Sequence, residues 1–187
     1  MQIHFLLLFT LAASILAAPL AAPQWGAQQT VAVEDAIRRA GNALASLDTF
    51  FRQTRPSASE AGAFVNQALN LQARVVDELR AGTREVKLGG AINAAEAAKL
   101  ADWVDALSNL YESAMRGWTN AKASVRSSGR KNMVLTSLLD LQDATNNLND
   151  AVTAKLPSGL ITATVGRRSK QRQAGAVDEA IKQMKTA

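Results

Sequence analysis

The chain has 187 residues, with 21 lysines and arginines against 16 aspartates and glutamates, a formal net charge of +5, and no cysteine. That length suits one domain with a real core, and the absence of cysteine excludes disulfide staples and thiolate metal sites. The only histidine is His4, so the rest of the chain lacks the two commonest nucleophile, base and metal-ligand types and enzyme chemistry loses most of its support.

The N-terminal stretch "FLLLFTLAASIL" is an apolar run of about 12 residues, where a membrane-spanning helix needs about 20. It reads as the core of a signal peptide spanning residues 1–17, and the small residues of "ILAAPLAAP" place cleavage after Ala17. The expected product is secreted, extracellular or wall-associated, with no transmembrane segment. Residues 18–29 form a lead-in carrying Trp25, a lone aromatic that no periodic stripe reaches. No Asn-x-Ser/Thr triplet offers N-glycosylation, and the polar "DEAIKQMKTA" is not a lipid-anchor signal.

Residues 30–187 read as an all-α domain, an up-and-down bundle of about five amphipathic helices. In the first, Val33, Ile37, Ala40, Leu44, Leu47 and Phe51 step by four and three. Pro56 stops it, and Ser57 to Glu60 is a capping box for the second helix. That helix runs from Ala61 to Leu79 with Gln72 as the one polar residue of its stripe, and should end near Gly82. The glycine-rich "GTREVKLGG" (Gly82 to Gly90) then reads as a loop.

A second capping box, Asn93 to Glu96, opens a third helix whose stripe reaches Val125, about 45 Å long, with a bend expected at Gly117. "SSGR" turns the chain into a fourth helix, Val134 to Leu156, ended by Pro157. A fifth from Ser158 carries Leu160, Ile161, Val165, Val177, Ile181 and Met184, interrupted by "GRRSKQRQAG".

Candidate functional residues follow from these stripes. Phe50, Phe51, Phe64, Leu107, Leu110, Trp118, Leu138 and Leu141 are expected to line an apolar interior or an opened helix face, with Trp103 and Trp25 as outer anchors. Gln72 and Thr145 lie on apolar seams and are candidates to meet a polar head group, or to bond within the protein. Asp102 and Asp105 share a helix face, where a solvated surface is the simpler reading than acid–base work. Arg167, Arg168, Lys170 and Arg172 make a basic segment for an acidic partner such as a wall polysaccharide; for an exported chain nucleic acid is not the expected partner. No metal or cofactor site is expected.

The leader, the cysteine-free helical patterns, "AAEAAKLADWVDALSNLYESAM" and "KASVRSSGRKNMVLTSLLDLQDATNNLNDAVTAKLP" together resemble the fungal hydrophobic surface-binding protein A family, which includes the cell-wall galactomannoproteins. The resemblance is sharpest from Leu100 to Pro157. It implies a small secreted helical protein, without catalytic residues, that adsorbs to hydrophobic solids and, in some members, recruits polyester-degrading esterases or binds fatty acids in an apolar interior. The basic "GRRSKQRQAG" and the lack of a Ser/Thr-rich tail depart from that pattern.

Overall fold

A computed structural model describes residues 32–90, 92, 94–156 and 160–187. The expected leader of residues 1–17, the expected lead-in with Trp25 and Asn93 of the second expected capping box lie outside the described residues. Among those described there are six α-helices and a single 3-10 turn, with no strand: α1 Ala32–Gln53, the turn Ala58–Glu60, α2 Ala61–Leu88, α3 Ala94–Asn120, α4 Lys122–Ser128, α5 Lys131–Thr153 and α6 Leu160–Lys185.

The five long helices close into a ring in the order α1, α2, α5, α6, α3, and the short α4 packs on α2 at one end. Successive long helices reverse direction. One end of the bundle therefore gathers the last turns of α1, α3 and α6, the first turns of α2 and α5, and α4. Leu44, Leu47, Val65, Val75, Leu79, Tyr111, Trp118, Val134, Leu138, Leu141, Val177 and Met184 fill the ring. At roughly 1.5–3 kcal/mol for each large apolar side chain, burial alone can hold a chain without disulfides.

The turn before α2 follows the sequence signal. The Ser57 backbone N–H donates to Glu60 Oε2 at 2.9 Å and the Ser57 hydroxyl donates to the same oxygen at 2.6 Å. These bonds hold the Glu60 carboxyl below its ordinary pKa and fix the entrance to α2.

Three expected boundaries are corrected. Gly82–Leu88 is helix, because Gly82 is a packing residue and not a cap. A β-carbon there would lie 2.7 Å from Ala36 Cβ, so the glycine lets α1 and α2 approach closely. Thr83 and Val86 continue the buried stripe, and the Thr83 hydroxyl donates to the Leu79 carbonyl at 2.7 Å. The third helix divides at Ala121 into α3 and α4; α4 packs on α2 and buries Val125. Gly129, with φ +67°, ends α4 where the sequence placed a turn.

The third correction concerns α6, which is continuous through "GRRSKQRQAG". Its charged positions face outward or toward partners on α3 and α5, while Ser169 and Gln173 take the inner positions. Glycine costs a helix about 1 kcal/mol relative to alanine. Gly166 and Gly175 are tolerated because the element is held by its neighbours.

Candidate functional site

Two adjacent phenylalanines end α1, and a third lies in the first turn of α2. The rings of Phe50 and Phe64 stack at 5.1 Å between centroids, and Phe51 meets Trp118 edge-on at 5.1 Å. Phe51 lies directly on Gly117, where a β-carbon would fall 2.5 Å from Cγ and 2.8 Å from Cβ of that ring. Thus Gly117 admits the aromatic cluster to the surface of α3, which runs as one helix from Ala94 to Asn120.

Beside this cluster is a cleft of about 600 Å³, floored by Phe51, Phe64 and Pro56 and rimmed by Arg52, Arg55 and Arg116. Such a volume is in the range that takes a small organic ligand. Arg52 Nε pairs with Asp48 at 2.9 Å, and Ser113 donates to the other Asp48 oxygen at 2.7 Å. Arg55 donates to the Phe51 carbonyl at 3.0 Å. Arg116 makes no ion pair among the described residues and lies on the same rim. The hollow is amphipathic, with an aromatic floor and cationic edge.

The other candidates divide by burial. Leu107, Trp118, Leu138 and Leu141 are buried in the ring, whereas Phe50, Leu110 and Trp103 are partly exposed and pack against it. Phe50, Phe51, Phe64 and Trp118 come together; Leu138 and Leu141 lie on α5, and Trp25 falls outside the described residues. The polar pair is satisfied within the protein. The Trp118 indole N–H donates to Gln72 Oε1, and Gln72 Nε2 donates to Ser137 at 2.8 Å. Thr145 donates to the Leu141 carbonyl at 2.7 Å, which leaves its oxygen to accept the Tyr111 hydroxyl at 2.5 Å. Burial pushes the Tyr111 pKa up and keeps the phenol neutral.

The basic segment is largely engaged on its own bundle. Arg172 pairs with Glu112 at 2.8 Å and Asp105 at 3.5 Å, and Lys170 pairs with Asp150 at 2.6 Å. Arg167 also has a partner, while Arg168 is exposed. Asp105 is thereby an ion-pair residue; Asp102 is exposed beside it. No group of three His, Cys, Asp or Glu side chains that could hold a metal ion occurs among the described residues.

Arg55, Arg116 and Pro56 were not legible as site residues. Arg55 and Pro56 lie in the link after α1 and Arg116 on α3, so they share no periodicity, and the nearest signal was the pairing of each arginine with a helix-breaking or small neighbour, Pro56 and Gly117.

An all-α ring with an amphipathic cleft and satisfied interior polar groups defines a helical binding fold. The chain belongs to the hydrophobic surface binding protein A family, whose model matches residues 30–154. Among solved structures it is similar to ligand binding domain 1 of the Penicillium marneffei MP1 protein complexed with arachidonic acids, at 18% identity and TM-score 0.72, covering 82% of this chain and 96% of that one. Domain 2 of the same protein, complexed with multiple arachidonic acids, matches at 18% identity and TM-score 0.73 over 83% and 96%. AFMP4P in complex with palmitic acid matches at 17% identity and TM-score 0.72 over 82% and 97%. A comparison with curated proteins finds no match.

Proposed function

We propose that this chain is a secreted, non-catalytic protein that takes up fatty-acid-like amphiphiles, or lays opened helix faces on hydrophobic surfaces. The observation that carries the reading is the cleft itself: an acyl chain can lie along Phe51 and Phe64 while a carboxylate meets Arg116 or Arg55 at the rim. Family membership and the acyl ligands of the solved relatives support it. Secretion is supported by the leader of residues 1–17 and by the finding that no described helix is long and apolar enough to cross a membrane.

Deeper uptake would pass from the cleft toward Trp118, Leu107, Leu110, Leu138 and Leu141, with Phe50 beside the mouth and Gln72 and Thr145 exchanging protein partners for a head group. On a solid surface the anchors would be Trp103 and Trp25. Helix–helix contacts can be exchanged for contacts with an external apolar phase at similar energy per side chain, so opening has a modest net cost. A bound esterase would then be held against the same surface.

Native mass spectrometry of the secreted protein with palmitate, together with adsorption to a polyester film in about 1 M salt, tests the reading. Uptake of fatty acid or salt-resistant adsorption is expected. A protein that takes up no fatty acid and stays in solution would reduce the aromatic cluster to core packing.

A further inference from the structure

Several cations without an ion pair gather at one end of the bundle. At the end where α4 sits, Arg55, Arg116, Lys122, Arg126 and Arg130 make no ion pair within 4.0 Å among the described residues, although Arg52 beside them is paired with Asp48. Their contacts are with neutral groups. Arg55 donates to the Phe51 carbonyl, Lys122 to the Thr186 hydroxyl at 2.7 Å, and Arg126 to the Thr186 carbonyl at 3.1 Å, while Arg130 lies over Gly62. Elsewhere Arg39 pairs with Glu78 and Glu85, Lys170 with Asp150, and Arg172 with Glu112 and Asp105, while Arg84 and Lys87 at the opposite end also make no ion pair among the described residues and Lys155 donates to the Lys87 and Gly89 carbonyls.

Of the groups close to this pole, neither Asp48 nor Glu60 nor Glu112 forms an ion pair with these five cations, and the carboxyl end at Ala187 accepts from Lys131 at 3.3 Å. Asp48 holds Arg52 and Ser113, Glu60 holds Ser57, and Glu112 holds Arg172, with Arg116 acting on it as the weakest of the named influences. Residues 1–31 contain no aspartate or glutamate that could return to neutralise the cations. Helix dipoles do not neutralise them either. The pole gathers the C-termini of α1, α3, α4 and α6, but also the N-termini of α2, α4 and α5, so the half-charges nearly cancel. An anion from outside the chain would thus meet cations that no carboxylate side chain holds within 4.0 Å among the described residues.

Two apolar features share the pole: the mouth of the cleft and Met133 in the first turn of α5, which is 56% exposed. We propose that this end of the bundle docks the protein onto an anionic lipid bilayer, with Lys122, Arg126 and Arg130 against the head groups and the cleft facing the acyl layer. The choice of a lipid surface rests on the amphiphile reading above, because an acidic polysaccharide supplies charge but nothing for Met133 or the phenylalanine floor. Docking there would bring the cleft to a source or acceptor of acyl chains by electrostatic steering.

The test is co-sedimentation of the mature protein with vesicles of phosphatidylcholine alone and of phosphatidylcholine with phosphatidylglycerol. Binding to the anionic vesicles only, falling as salt is raised, is expected. The combined variant Lys122→Glu, Arg126→Glu, Arg130→Glu should lose more than about tenfold in partitioning, each cation near an anionic surface adding measurably to attachment. Arg84→Glu with Lys87→Glu, at the opposite end, should bind as the parent does. If circular dichroism shows the triple variant unfolded, Arg126→Gln with Arg130→Gln replaces it and should still weaken binding. Equal binding to both vesicle types, or full binding by the folded variants, overturns the proposal, as does capture by heparin without capture by vesicles. Palmitate uptake in vesicle-free solution is read separately: its absence with vesicle binding intact defeats the ligand reading and leaves the docking surface standing, and the reverse pattern does the opposite.

Discussion

Phe51 lies on Gly117 so closely that the ring occupies the space a side chain there would need. The two residues come from α1 and α3, and their contact sets both the depth of the cleft and the seat of Trp118. Gly117→Ala would ordinarily stabilise a helix by up to about 1 kcal/mol. Here the clash reaches Phe51 Cβ, near the backbone, and the ring is held by Phe64 and Trp118, so it cannot swing aside. Overpacking costs about 1–3 kcal/mol and outweighs the propensity gain. The variant should unfold at lower urea concentration than the parent, measured by circular dichroism.

Gln72 links three helices, accepting from Trp118 on α3 and donating to Ser137 on α5. Gln72→Leu preserves bulk and removes both partners. The buried indole N–H then stands unsatisfied, at a cost of about 1–3 kcal/mol. Adding Trp118→Phe to that variant removes the orphaned donor, so the double variant should lose less than the two single losses combined. A double-mutant cycle from denaturant titrations checks this, and strict additivity would count against the bond.

The helical class, the stripes of α1 and α5 and the turn at Gly129 were legible because three-and-four spacing and capping residues are local signals. Gly82 was misread because glycine marks a chain end and a close helix contact alike; only the continuation through Thr83 and Val86 separates them. In α6 the charge cluster read as an interruption, since the sequence does not reveal that Asp105, Glu112 and Asp150 wait on α3 and α5. Phe51 and Phe64 could be named from their stripes as candidates for an apolar face, and both lie in the wall of the cleft, with Trp118 packed against Phe51. The cationic rim could not be named, because it assembles from a turn and two helix ends.

Glu112 provides the pH prediction. The Arg172 hydrogen bond holds its carboxyl below the ordinary value of 4.5, against a smaller opposing effect of burial. A depressed folded-state pKa stabilises the protein in full above the unfolded value and is lost as pH falls from there through the folded one. The pair is about a third exposed, so solvent screening keeps its contribution under about 1 kcal/mol. Glu112→Gln should be slightly less stable than the parent at neutral pH, and the difference should narrow below about pH 4.5 in thermal melts.

The seam joining α6 to α3 and α5 carries a cluster of buried polar side chains. Ser108 and Ser169 share a hydrogen bond of 2.7 Å, Gln173 donates to Ser108 at 3.1 Å and to Ser169 at 3.0 Å, and Asn149 donates to Gln173 at 3.1 Å. Each of these bonds can be exchanged for one to water, so separating this part of α6 costs less than separating α1 from α2 across Ala36, Leu44 and Leu79. Amides in the first half of α6 should therefore exchange with deuterium before those of α2. Gln173→Leu leaves Asn149 and both serines short of a partner and should destabilise by about 1–3 kcal/mol. Replacing Ser108 and Ser169 by alanine in the same chain removes most of those orphans and should recover part of the loss. If α6 is the helix that parts to admit an acyl chain, this apolar seam should also slow palmitate uptake in stopped-flow fluorescence, because its opened faces now expose hydrocarbon to water. Faster uptake by the triple variant would place the gate elsewhere in the ring.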